Sequence, residues 1–277
     1  MYQKQEIPPA YQGILDQTAT IKIDFDQYVV YDLFHLEKGN GMGIWERYRE
    51  GALLKRAVRD AREILLFSDI TKERLESIYP SSTSKTRLIK PHVEENIQPL
   101  DDDAKDIVRY KFAEGNAYFL YTGPIHPTAN LIELLKGFSI FKKKFGSNMK
   151  LVMSGVTGKY SHSFMQSIET YKFRDDLIMT GVLSAEERIE LLSSAYALLH
   201  SIRWERFGMP IPMAMKAGVA VLAPENSVHS EMAGMAGMFF DEKDPADIGD
   251  KLMRIYRDEQ VRNEMIGTGI SRMKSQG

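Results

Sequence analysis

An α/β fold built on a parallel, doubly wound sheet is the class this sequence predicts, and three observations predict it. From Asn116 onward, short apolar runs at 117–122, 149–154, 177–180, 197–201, 219–223 and 238–240 alternate with helical or turn segments. That alternation is the pattern of strands joined by crossover helices. Gly123 and Gly155 follow the first two runs, at the carboxyl ends where an open sheet of this kind binds ligands. No period of about 20–50 residues repeats, which disfavours solenoids and propellers.

The elements can be justified in chain order. Residues 20–34 read as extended, 44–61 as a helix, 63–67 as a strand, 69–78 as a helix and 86–89 as a strand, again an alternating β/α pattern. The stretch 91–105 carries Glu94, Glu95, Pro99 and the triplet Asp101, Asp102, Asp103, breaks periodicity and reads as a connection. Consecutive carboxylates do not point at one centre, so no metal is expected there. The expected organisation is an N-terminal domain over 1–93, a linker over 94–115 and a C-terminal domain over 116–277. In the latter, Ser184 with Glu187 forms a capping box, Asp244 and Pro245 open another helix, and Asp258 or Glu259 begins the last.

A chain of 277 residues with 43% hydrophobic content holds one or two domains of about 100–200 residues each. The formal charge of −2 gives no global attraction to nucleic acid or anionic lipid, so electrostatic recognition has to be local. The absence of cysteine excludes disulfides, thiolate metal sites and a cysteine nucleophile, and fits a reducing compartment. The N-terminus lacks a basic region followed by an apolar stretch, and no run approaches 18 apolar residues. The cytoplasm, with peripheral contact at the inner face of a membrane, is the expected location.

The most informative stretch is Glu205, Arg206, Phe207, Gly208, Met209, Pro210, followed by a helical run over 211–217 and a stop at Gly218. Pro210 suits a first helical position, because its missing N–H is an orphan there anyway. Gly208 lets backbone approach a ligand closely. Amides of a first helical turn favour phosphate, and Glu205 can accept hydrogen bonds from sugar hydroxyls. The segment 155–159 is weaker as a nucleotide loop: two residues instead of four separate its glycines, and Tyr160 follows Lys159.

The run 205–215 with Gly218, Ser227 and Glu231 resembles the donor-binding signature of family 4 (group 1) retaining glycosyltransferases. The order of strand 118–123, Asn130 in a loop-to-helix turn, strand 150–155 and then Gly181, Val182, Leu183, Ser184 is similar as well, over roughly 86–272. The resemblance implies GT-B architecture: two Rossmann-like domains with parallel sheets, the N-terminal one incomplete. It also implies a nucleotide-sugar donor held by Gly123, Phe207, Gly208, Met209, Pro210, Met213 and Glu231, with Glu205 as the catalytic carboxylate and no cofactor or metal; Lys159 and Arg203 join this donor set as cations expected near the same strand ends.

Three positions depart from the family pattern. Met213 stands where a second glutamate belongs, and Pro124 and Ala129 stand where an arginine and a lysine grip the diphosphate. Hydrogen bonds to charged groups contribute about 1.5–3 kcal/mol each, so three losses would weaken donor binding on the order of a thousandfold or more. Arg203, Arg206, Lys159 and His126 are the candidate replacement cations. Tyr31-Asp32 resembles the family's histidine-aspartate segment with tyrosine at the histidine position, His35 being close but out of register.

Two functions follow as expectations. One is transfer of a hexose, with retention, from a nucleoside diphosphate sugar to a saccharide or lipid-linked acceptor, in polysaccharide biosynthesis. The other is a catalytically inactive GT-B-like subunit that binds a glycan, a nucleotide or another transferase, with a partner subunit completing the N-terminal half. A dinucleotide-dependent oxidoreductase would need a Gly-x-Gly-x-x-Gly turn that the chain lacks. Helix 45–62 carries Arg47, Arg49, Lys55, Arg56, Arg59 and Arg62 among Trp45, Tyr48, Leu53, Leu54 and Val58. It reads either as a lipid-surface or lipid-diphosphate contact or as a solvated helix packed on the first sheet.

Overall fold

In the computed structural model, which describes residues 20–23, 26–36, 43–90, 93–126, 129–155, 161–202, 208–225 and 227–276, the chain forms two compact units meeting between 92 and 93. Each is described by itself.

The second unit holds a six-stranded, all-parallel sheet. Its strands are β5 (Tyr118–Thr122), β6 (Lys150–Ser154), β7 (Leu177–Gly181), β8 (Ala197–Leu199), β9 (Ala220–Pro224) and β10 (Gly237–Phe240). They lie in the order β10-β9-β8-β5-β6-β7. The near-continuous burial of β5, β6, β8 and β9 is what a parallel sheet covered on both faces requires. Alternation divides the two faces. Phe119 and Tyr121 enter one core with Phe138, Phe141 and Phe240. Tyr118 and Leu120 enter the other with Leu198, Ile211 and Val221.

Helices join these strands: α3 (Asp102–Ala113), α4 (Leu131–Phe145), α5 (His162–Glu169), α6 (Ala185–Ser193), α7 (Pro210–Lys216), α8 (Val228–Ala233), α9 (Pro245–Arg257) and α10 (Glu259–Gln276). Ser184 and Glu187 close the capping box that opens α6. Asp244 accepts from the Ala246 amide with Pro245 at the first turn of α9, and Asp258 accepts from Val261 at 3.0 Å to start α10. Most of the stretch read as a connection is helix α3, and Val93, Ile97 and Ala113 are buried in the second unit's core.

The first unit holds β1 (Thr20–Lys22), β2 (Gln27–Val30), α1 (Ile44–Asp60), β3 (Glu63–Leu66), α2 (Asp69–Ile78) and β4 (Thr86–Leu88). β2, β3 and β4 are parallel, and β1 pairs antiparallel with β2. Leu54, Ala57 and Val58 of α1 pack with Tyr28, Val30, Ile64 and Leu66. Ser68 caps α2 by accepting from the Thr71 amide at 3.3 Å. Among the described residues no helix is long and apolar enough to cross a membrane.

Candidate functional site

Because every strand of the second sheet is parallel, all their carboxyl ends open on one side, and the register sets their exits next to one another. Thr122 lies beside Ser154, Leu120 beside Leu198, and Leu199 beside Leu222. Gly123, Gly155, Ser201 and Glu225 therefore leave the sheet as neighbours.

The contacts among these exits are tight. A Cβ built at Gly155 would overlap the Gly123 carbonyl oxygen, so only glycine fits there without moving backbone. Ile202 and the Tyr121 hydroxyl press on Gly123, and that hydroxyl donates to the Pro124 carbonyl at 2.8 Å. Ser201 donates to the Ala129 carbonyl at 2.6 Å, joining the loop after β8 to the loop after β5. Ala129 is fully buried. Asn130, at φ 51°, opens α4 without a side-chain cap, a left-handed conformation that asparagine tolerates better than most residues.

The turn into α7 is the centre of the donor signature. Gly208 has φ +58°, Met209 is the N-cap and Pro210 is the first helical residue, with no side-chain cap. The helix mouth offers fewer amides than a first turn normally does. Pro210 and Pro212 have no N–H, the Ile211 amide donates to the Gly208 carbonyl at 2.8 Å, and Met213 donates to Met209 at 3.3 Å. Gly208 and Met209 keep the amides at this turn that have no carbonyl partner among the described residues. Pro212 was the legible signal for this. Met213 is half-buried against the second unit's core, and Glu231 lies in the first turn of α8, half-buried, its carbonyl accepting from Arg272 at 3.2 Å.

Behind the turn sit two histidines that sequence reasoning did not single out. His229 is fully buried, its ring lies 4.4 Å from that of His200, and it packs on Gly208 so closely that a Cβ there would approach its Cδ2 to 2.6 Å. Neither His229 ring nitrogen has a hydrogen-bond partner among the described residues. Burial, and then the neighbouring His200, hold its pKa well below the ordinary 6.5, so the imidazole is neutral at physiological pH.

The structure thus brings Gly123, Gly208, Met209, Pro210, Met213 and Glu231 onto the carboxyl-end side of one sheet. Glu205, Arg203, Phe207 and Lys159 lie outside the described residues, as does Arg206. His126 is half-buried after β5. In the first unit, Tyr31 and Phe67 follow β2 and β3 and stack at 5.4 Å, and burial raises the Tyr31 phenol pKa. Asp32 accepts from the Phe34 amide at 2.7 Å and so closes the turn that holds the buried His35. Among the described residues, no group of three or more His, Cys, Asp or Glu could hold a metal ion.

A parallel sheet whose loops gather at the strands' carboxyl ends around an uncapped, glycine-led helix turn defines the class of α/β nucleotide-type folds. The chain belongs to the glycosyl transferases group 1 family, whose model matches residues 102–272. It is 23% identical over 230 residues to the O-antigen chain mannosyltransferase B of Escherichia coli, covering 82% of this chain and 60% of that protein. It is 24% identical to the O-antigen chain mannosyltransferase RfbU of Salmonella typhimurium, covering 69% of this chain and 50% of that one. The chain spans about half to three fifths of these curated relatives.

Among solved structures it is similar to WaaG, a glycosyltransferase involved in lipopolysaccharide biosynthesis, with a TM-score of 0.77, 17% identity and coverage of 94% of this chain and 72% of that one. It is also similar to Anabaena Alr3699/HepE, solved in complex with UDP and glucose, with a TM-score of 0.76, 14% identity and coverage of 90% and 67%. The α/β fold with parallel sheets is therefore that of GT-B glycosyltransferases.

Proposed function

We propose that this chain is a hexosyltransferase of the retaining kind, moving a hexose from a nucleoside diphosphate sugar to a saccharide or lipid-linked acceptor in polysaccharide biosynthesis. The observation that carries the reading is the gathering of the loops after β5, β6 and β8, which hold Gly123, Gly155, and Ser201 with Gly208, at the carboxyl ends of three adjacent strands. Family membership and the mannosyltransferase relatives support the same chemistry. In this reading the donor diphosphate lies against the Gly208 and Met209 amides, with Arg203 and Lys159 supplying charge. Glu205 holds the hexose hydroxyls and orients the anomeric carbon, while Gly123, Phe207, Pro210, Met213 and Glu231 line the donor. No metal takes part, and the reaction takes place on the cytoplasmic side.

A second reading, a catalytically inactive GT-B-like subunit that binds a glycan, a nucleotide or another transferase, draws on particular positions. Ala129 is fully buried where a cation would grip phosphate, Met213 is half-buried against the core, and Pro212 removes an amide. Among the described residues the first sheet has four strands where the second has six, which supports a further segment or partner subunit completing the acceptor side. Calorimetric titration with nucleoside diphosphates and their sugars separates the two readings. The transferase gives a complex that Glu205→Ala abolishes and Met213→Glu strengthens, together with release of nucleoside diphosphate when acceptor is supplied. Absence of binding across the panel overturns it; nucleotide binding without turnover selects the inactive subunit.

A further inference from the structure

Helix α1 changes character along its length. Its second half buries Leu54, Ala57 and Val58, whereas Ile44, Trp45 and Tyr48 at its start are 86%, 84% and 72% exposed. At 3.6 residues per turn, Ile44, Lys55, Tyr48, Arg59, Trp45, Arg56 and Arg49 fall, in that angular order, within an arc of about 140°. All seven are exposed. The buried Glu50 projects from the far side of the helix, and Glu46 lies outside the arc. Asp60, at its edge, is held by Arg59 at 2.6 Å and by Arg56 at 3.6 Å. One continuous face therefore carries an aliphatic and two aromatic side chains in its first turns and four cations, of which Arg49 also reaches the buried Glu50 at 3.5 Å.

A merely solvated face has no use for an indole and a phenol left in water. Tryptophan and tyrosine favour the headgroup layer of a bilayer, where an apolar ring and a polar edge are both accommodated. Lys and Arg on the same face reach lipid phosphates while their stems cover apolar surface. Duplex nucleic acid would use the cations and leave the apolar first turns idle.

We propose that this face of α1 docks on an anionic phospholipid bilayer, with Ile44, Trp45 and Tyr48 entering the headgroup layer and Arg49, Lys55, Arg56 and Arg59 facing lipid phosphates. The docking is a property of the first unit alone and stands whether or not the second unit transfers sugar.

Co-sedimentation of the full chain with vesicles tests it, using phosphatidylcholine alone and phosphatidylcholine mixed with phosphatidylglycerol. The chain pellets with the anionic vesicles, stays in solution with the neutral ones, and dissociates as salt rises. Trp45→Ser with Tyr48→Ser weakens binding by at least about tenfold. Lys55→Gln with Arg56→Gln weakens it by roughly thirtyfold. These side chains are exposed, so both pairs keep the wild-type melting temperature, checked in the same preparations. Equal binding to neutral and anionic vesicles, no binding to either, or undiminished binding after Trp45→Ser with Tyr48→Ser overturns the proposal. So does tight binding to duplex DNA that the Lys55 and Arg56 changes abolish while vesicle binding persists.

Discussion

Two sets of helices in the second unit differ at their N-termini. Helices α3, α6, α8 and α9 are closed by their own side chains: Asp101, Ser184, Ser227 and Asp244 each accept a backbone amide of the first turn. Helices α4, α5 and α7 have no such cap, and these follow β5, β6 and β8, the strands whose exits gather at the candidate site. A side-chain cap contributes about 1 kcal/mol, so a terminus without one leaves amides to water or to a ligand. The uncapped starts all lie at the candidate site, whereas of the capped ones α8, which follows β9 and holds Glu231 in its first turn, is the one the site also includes.

The comparison can be broken first at the crossing of the loops after β5 and β6. Gly155→Ala drives a methyl group into the Gly123 carbonyl oxygen, and backbone has to move. Stability is expected to fall by about 3 kcal/mol or more, since backbone gives way less readily than side chains. Urea denaturation measures this, and a fall below about 1 kcal/mol would mean the crossing is looser than described.

His229 sharpens the comparison next, because it packs directly behind the uncapped turn of α7. Its folded-state pKa lies below 6.5, so on acidification the unfolded chain takes up this proton first. The stabilisation is complete above pH 6.5. It is lost below that value at about 1.4 kcal/mol per pH unit, down to the folded-state pKa. His229→Leu removes that acid loss without opening a cavity. Melting curves from pH 7.5 to 5 compare the two proteins, and parallel curves would place the acid sensitivity elsewhere.

The smallest effects set a capped helix against an uncapped one. Ser184→Ala should cost about 1 kcal/mol and leave nucleotide binding unchanged. Met209→Asp should raise stability by about 0.3–1 kcal/mol through the helix dipole while weakening nucleoside diphosphate binding by charge repulsion. Calorimetry and denaturation on both variants decide it. If Met209→Asp leaves diphosphate affinity intact, the α7 turn does not face the anion.

The framework was legible because its signals are local. Ser184 with Glu187, Asp244 with Pro245, and the alternating runs that became β5 to β10 each declare an element within a few residues. The resemblance around Gly208 and Glu231 also pointed to segments that follow β8 and β9. What escaped the sequence depends on tertiary register. His200 and His229 are brought together because β8 lies beside β9, and no spacing rule predicts that contact. The exposure of Trp45 and Tyr48 likewise depends on where the first core stops, since periodicity alone would let both pack. Pro212 is legible in the sequence, but its cost depends on the Ile211 and Met213 amides being taken by the Gly208 and Met209 carbonyls.

The meeting of Gly123 and Gly155 constrains how a protein of this design can diversify. Gly155 cannot acquire a side chain without displacing the Gly123 carbonyl, Gly123 is itself confined by Ile202 and Tyr121, and a shift in one loop's take-off drags the other. Variation in ligand preference is thereby channelled into residues farther along each loop, while the crossing itself stays fixed as a pivot.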